Sequence, residues 1–186
     1  VAALTATQVK ALKTSQLQAL TTDQIKAIET ADLASMTATQ VGAFSSSQIR
    51  ALSSTQLNSL TVAELNALSS SQLQSLSTDQ VSALSATSTA KLKSAQVASL
   101  STAQVAALTT AQVSALAATS VAALGSNQLN AMTTSQVGAL TAAQIKGLSS
   151  STFASMGTTQ VAALTTGQVA GLSVAVVGAM TSTQVS

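Results

Sequence analysis

Hydrophobic and polar positions along this chain follow one eight-residue pattern. The pattern is (Ser/Thr)-x-x-Gln-(Val/Ile/Leu)-x-(Ala/Ser)-Leu, and Thr109–Leu116 (TTAQVSAL) shows it in full. Counted from Thr5, 22 complete units, termed octads, run in constant register to Met180, with partial units at residues 1–4 and 181–186. Such a short fixed period is typical of repeat proteins. We therefore expect residues 1–186 to form a single tandem-repeat array, a fragment of a longer one.

Each octad carries the start signals of a short helix. With Thr109 as N-cap, its hydroxyl can accept from the backbone N–H of Gln112, while the Gln112 side chain reaches back to the Thr109 N–H, as in a capping box. Leu108 and Val113 are spaced as a hydrophobic staple around that cap. Ser or Thr stands at the first place in 16 of the 22 octads and Gln at the fourth place in 16, so the signal recurs along the chain.

A single continuous helix does not fit this period. Eight residues at about 100° each turn the helix by about 800°, so successive octads would differ in phase by about 80° and leave no apolar stripe. Breaking the helix at each cap lets every octad direct the same side chains inward. The predicted fold is therefore all-α, a solenoid or superhelix of short capped helices with one helix per octad.

A β-solenoid, with each octad forming one side of a coil, is the alternative. Regular Val and Ile with Ser and Thr at the corners suit it. The fifth, seventh and eighth places are all apolar or small, however, which breaks the strict alternation of a strand, and Ala, Leu and Gln favour helix.

Six octads lack Gln at the fourth place, and their spacing is regular. The intervals are 4, 3, 4, 4 and 3 octads, which average 28.8 residues, or 3.6 octads. A superhelix with about 3.6 octads per turn would place these octads along one side. We expect this side to act as a self-association seam that contacts a neighbouring copy; its residues are Asp32, Glu64, Ser88, Ser120, Thr152 and Val176, together with Phe153 beside Thr152.

Composition limits the chemistry. The 186 residues are 46% hydrophobic and 6% charged, with no Cys, His, Trp, Tyr or Pro and a net charge of +2. Thiolate and imidazole metal sites and Cys or His nucleophile–base pairs are thereby excluded, and the few basic residues are not clustered as nucleic-acid binding requires. No apolar run approaches the 18 residues of a membrane-spanning helix. We therefore expect no enzyme activity, cofactor or metal, no nucleic-acid partner and no membrane insertion.

The octads resemble tandem (Thr/Ser)-x-x-Gln-(Val/Ile)-x-Ala-Leu tracts of large secreted or surface-attached bacterial proteins. The resemblance runs from TATQVKAL at residues 5–12 to TTGQVAGL at residues 165–172. It implies a structural role in an adhesin stalk, fibre or sheath, at the cell surface or secreted, with identical chains as partners. It carries over no functional residue and no small-molecule ligand. The alternative function is a binding module of a surface adhesin with a hydroxyl-rich surface for ice or glycan.

Overall fold

The chain is a stack of short helices joined by extended residues. The computed structural model describes residues 5–185, and that part of the chain holds 23 helices of four to six residues and no strand. The helices are α1 Ala6–Ala11, α2 Thr14–Gln18, α3 Thr22–Lys26, α4 Thr30–Leu33, α5 Ala38–Gly42, α6 Ser46–Ala51, α7 Ser54–Ser59, α8 Val62–Ala67, α9 Ser70–Ser75, α10 Thr78–Ser82, α11 Ala86–Ala90, α12 Ser94–Ala98, α13 Thr102–Ala107, α14 Thr110–Ala115, α15 Ala118–Ala122, α16 Ser126–Ala131, α17 Thr134–Ala139, α18 Ala142–Lys146, α19 Ser150–Ala154, α20 Thr158–Ala162, α21 Thr166–Ala170, α22 Val174–Ala179 and α23 Ser182–Val185.

The predicted capping box starts most of these helices. In α14 the Gln112 backbone N–H donates to Thr109 Oγ1 at 3.2 Å, and the Thr109 backbone N–H donates to Gln112 Oε1 at 2.7 Å. Where the first place is Lys13, Lys93 or Gly125, only the bond from the cap N–H to the Gln side chain is made. The prediction of one capped helix per octad is confirmed.

Each helix ends near the eighth place because the chain becomes extended there. Leu116 has φ −59° and ψ 143°, and Thr109, the cap of the same octad, has φ −72° and ψ 158°. Extended residues between successive helices redirect the chain without a left-handed residue, since residues 5–185 contain no positive φ. The same change of direction every eight residues winds the chain into a superhelix.

Successive turns of the superhelix are three to four octads apart. Helix α14 packs against α11, three octads earlier, and the Gln112 side chain reaches Val81 and Leu84, four octads earlier. Because each octad contacts the octads three and four before it, one turn holds between three and four octads. The α-solenoid prediction is confirmed, and the β-solenoid alternative fails because the eight-residue unit completes its hydrogen bonds as a capped helix.

The core is a continuous column of fifth-place and eighth-place side chains. Val113 is 1% exposed and Leu116 is 5% exposed, and equivalent residues are buried from Val9 onward. Burial of a Val or Leu contributes about 1.5–3 kcal/mol, while ordering costs about 1–2 kcal/mol per residue for the backbone alone. One octad therefore depends on its neighbours in the stack for stability.

Charged groups contribute little to this stack. The one ion pair within residues 5–185 joins Lys26 Nζ to Asp23 Oδ1 at 3.1 Å, and both side chains are exposed. Exposed pairs of this kind contribute about 0–1 kcal/mol. Over the same residues, no helix has the length and apolar character needed to cross a membrane.

Candidate interface: glutamine clamps and the self-association seam

The fourth-place glutamine makes contacts both within its octad and between turns. Gln112 is 1% exposed, and its Oε1 accepts from the Thr109 N–H, while its Nε2 donates to the carbonyl oxygens of Val81 and Leu84, each at 2.7 Å. One side chain therefore starts its own helix and binds the previous turn. We refer to the bonds donated by Nε2 as the glutamine clamp.

The clamp recurs at every fourth-place glutamine that has a described turn before it. The amide nitrogen donates to a carbonyl 28 residues earlier in each case, and mostly to others 30 or 31 residues earlier. The residues are Gln40, Gln48, Gln56, Gln72, Gln80, Gln96, Gln104, Gln112, Gln128, Gln136, Gln144, Gln160, Gln168 and Gln184.

Sequence reasoning found the cap role of this glutamine and missed the clamp. A signal was present, because a capping box accepts Glu as readily as Gln, yet Glu occurs at the fourth place only as Glu64. A carboxylate offers acceptors alone, whereas a carboxamide offers an acceptor and two donors. The preference for Gln thus indicated that the fourth place also needs a donor.

The first turn shows the same residue without its inter-turn partners. Gln8, Gln16 and Gln24 are exposed, and their side chains bond only within their own octads. At the other end of the described stack, the fifth-place side chains Val169 and Val177 are 50% and 52% exposed. One end therefore presents amide donors, and the other presents apolar side chains and unclamped carbonyls.

The seam residues lie inside the stack and not on its surface. Asp32, Glu64, Ser120 and Val176 are 1–7% exposed, Phe153 is fully buried, and Ser88 and Thr152 are half-buried. Their octads are separated by three or four units, which is the separation of contacting turns; α19 and α22, for example, pack together. The six octads therefore follow one side of the superhelix, whereas self-association through that side stays a prediction.

Losing Gln changes the contact between turns along this side. The short Ser88 and Thr152 side chains bond the hydroxyls of their own caps, Ser85 and Ser149, and do not reach the previous turn. Ser120 Oγ lies 3.4 Å from Ser94 Oγ, three octads earlier. The expectation that losing Gln makes the outer surface more apolar is therefore replaced by a different effect, which is the loss of the clamp inside the stack.

Asparagine at the sixth place provides a second contact between turns. Asn58 Nδ2 donates to the Ala83 carbonyl, and Asn58 Oδ1 accepts from the Ser85 N–H, both at 2.7 Å. Ser85 is the cap of an octad that lacks Gln, so Asn58 supplies the acceptor that its own octad does not. Asn130 binds Ser155 and Gly157 in the same way.

The described residues contain no group of acidic, His or Cys side chains suited to a metal ion. Shallow grooves run between turns, and one is lined by polar side chains that include Gln74, Ser101, Thr102, Ser126 and Asn127. These side chains offer hydrogen bonds to a polar ligand, and none is paired as a nucleophile with a base.

A family model described as "ALTTAQ repeat" matches residues 1–27, 25–62, 90–118, 120–150 and 142–174. Residues 107–112 of this chain read ALTTAQ, the segment that ends α13, provides the cap Thr109 and carries the clamp residue Gln112. No curated protein and no solved structure matches the chain. Because the matched tandem stretches together cover most of its length, the chain belongs to the ALTTAQ repeat family.

Proposed function

We propose that this chain is a structural protein, an extracellular fibre, stalk or sheath built of stacked octads that associate end to end or laterally. The observation that carries the proposal is the complementarity of the two faces of each turn. Every clamp points from an octad to the turn before it, and every fifth-place side chain is covered by the turn after it.

The ends of the described stack keep this complementarity. Gln8, Gln16 and Gln24 offer amide donors at the first turn, while Val169 and Val177 remain half exposed at the last turn. A further octad, from this chain or from another copy, would cover those valines and clamp the carbonyls beside them. Contact between two unlike faces does not close on itself, so an open filament follows.

A direct test compares lysine substitutions on the apolar end with one on the outer surface. The double variant Val169→Lys and Val177→Lys places charges where a following turn would sit, and Val174→Lys is the matched control because Val174 is 90% exposed on an outer position. Sedimentation and negative-stain electron microscopy should show concentration-dependent filaments for the natural chain and the control, and fewer for the double variant. Equal association of all three proteins would argue against end-to-end stacking.

Surface localisation is tested separately. Antibody labelling or protease treatment of intact native cells should reach the repeat array if it is secreted or surface-attached. Protection of the array until the cells are lysed would contradict this part of the proposal.

The second candidate function is a binding module of a surface adhesin. The groove lined by Gln74, Ser101, Thr102, Ser126 and Asn127 favours it, because hydroxyl and amide side chains bind the hydroxyls of a glycan through hydrogen bonds. Glycan-array binding that Ser101→Leu or Asn127→Leu abolishes would support this function over a purely structural one. An ice-binding surface would instead appear as thermal hysteresis of the purified chain.

A further inference from the structure

Glu64 in α8 is a buried acid in a place built for glutamine. It is 1% exposed, and its Oε2 accepts from the Thr61 backbone N–H at 2.5 Å. Its second oxygen, Oε1, is buried and has no hydrogen-bond partner. Most buried polar atoms are hydrogen-bonded, so an unpaired buried oxygen indicates a position that binds a further group.

The register of the repeat shows what Oε1 faces. In the regular octads the oxygen of the side-chain amide binds the cap N–H, and the nitrogen donates to carbonyls 31 and 28 residues earlier, as Gln96 does with Leu65 and Leu68 at 2.9 Å. The equivalent carbonyls for Glu64 belong to Leu33 and Met36. Oε1 therefore takes the place of a donor and directs an acceptor toward other acceptors.

No charged side chain compensates the Glu64 carboxylate. The titratable groups on the elements around α8 are Glu29 and Asp32 on α4, Lys91 on α11 and Lys93 at the cap of α12, and α5, α7 and α9 carry none. Lys93 Nζ donates to the Asn66 carbonyl at the surface. The only ion pair within the described range is Lys26–Asp23, so Glu64 lacks the partner that a buried carboxylate requires.

Asn66 Oδ1 is the other buried oxygen of α8 without a partner. A neutral amide can rotate and place its nitrogen where the oxygen stood, because the two orientations are interchangeable in shape. Rotating the Glu64 carboxylate only places another oxygen at the same point. Glu64 is therefore the position where a bound group is needed.

We propose that Glu64 binds one positive charge, a proton or a monovalent cation such as K⁺, between its Oε1 and the carbonyl oxygens of Leu33 and Met36. A proton forms an O–H bond on Oε1 and turns the acid into a substitute for glutamine, with a donor and an acceptor. A monovalent cation is held by the same three oxygens, as carbonyl oxygens hold K⁺ in channel filters.

Charge and distance both disfavour a divalent ion. One carboxylate and neutral carbonyls balance a single positive charge. The equivalent amide nitrogen of Gln96 lies 2.9 Å from each carbonyl oxygen, which is longer than the 2.3–2.6 Å of Ca²⁺ or the 2.0–2.1 Å of Mg²⁺. The contact between α8 and α4 thereby becomes dependent on the solution, unlike the neighbouring contacts made by Gln.

The test compares the natural chain with Glu64→Gln, which restores the regular clamp. Hydrogen exchange by mass spectrometry reports the local opening of α8 and α4, and each measurement is expressed as the ratio between the two proteins. One series raises the pH in choline chloride, and a second series replaces choline with K⁺ at constant alkaline pH.

If a proton is bound, raising the pH should increase opening of the natural chain relative to Glu64→Gln by about tenfold, the effect of losing one hydrogen bond in a buried site, with K⁺ having no effect. If a monovalent cation is bound, K⁺ should reverse the opening and choline should not. A ratio that stays constant in both series would overturn the proposal.

Carbon-13 labelling of glutamate gives an independent readout. The chain contains two glutamates, and Glu29 is exposed and makes no cap bond, so its carboxyl resonance is an internal reference for Glu64. Under the proposal the Glu64 resonance responds to pH or K⁺ differently from Glu29. Identical behaviour of the two resonances would count against it.

A matched pair of substitutions tests whether the site can be built elsewhere. Gln112→Glu, in a buried clamp, should acquire the same dependence on pH or K⁺. Gln16→Glu lies in the exposed first turn, without a described preceding turn, and should acquire none. Absence of the dependence in Gln112→Glu would show that the place in the repeat does not create the site.

Discussion

The contribution of the glutamine clamp can be measured with Gln112→Met. Methionine keeps most of the length of the side chain and removes three hydrogen bonds, one from the Thr109 N–H and two to the carbonyls of Val81 and Leu84. At about 0.5–1.5 kcal/mol for each bond, the free energy of unfolding should fall by about 1.5–4.5 kcal/mol.

The control is Thr109→Ala, which removes only the acceptor of the Gln112 backbone N–H in the same octad. Loss of a cap side chain costs about 0.5–2 kcal/mol. Urea unfolding followed by far-ultraviolet circular dichroism gives both changes, and hydrogen exchange should show faster opening in α10 and α14 for Gln112→Met. If Gln112→Met cost no more than Thr109→Ala, the bonds from Gln112 to the previous turn would contribute nothing beyond the cap, and the stabilising role assigned to the clamp would be refuted.

Three further predictions concern the seam, the core and the length of the array. Restoring Gln at Thr152 and Val176 should leave the helical spectrum intact and weaken lateral association in sedimentation; unchanged association would argue against the seam. Leu116→Ala should lower the free energy of unfolding by about 2–5 kcal/mol, whereas Val174→Ala, at a 90% exposed position, should change it little, and similar effects would contradict the assigned core. Arrays of 6, 12 and 22 octads should melt at increasing temperatures because each octad is stabilised by its neighbours; equal melting temperatures would mean that the octads are independent.

The local part of this structure could be predicted from the sequence because its interactions fall within eight residues. The bonds between Thr109 and Gln112 join residues three apart, so the spacing of Ser or Thr and Gln was sufficient to place the helices. The recurrence of octads without Gln at intervals of three and four also agreed with the number of octads in a turn.

The clamp could not be predicted in the same way because its partners lie far along the chain. The carbonyl that Gln112 binds at Val81 is 31 residues away, and the choice of that carbonyl depends on the radius and rise of the superhelix. The contact from Asn58 to Ser85 has the same origin. The burial of Glu64 followed only once the previous turn was in place, so a sequence pattern that suggested an outer surface corresponded to an inner one.

A turn of between three and four octads has a consequence for arrays of different length. Adding or removing one octad rotates everything beyond it by between about 90° and about 120°, because the contacts between units are equivalent along the stack. The seam octads would then face different directions on the two sides of the change. Copy number therefore sets the angle between whatever is attached at the two ends, and a gain or loss of about seven octads, which is close to two full turns, returns them to nearly the same orientation.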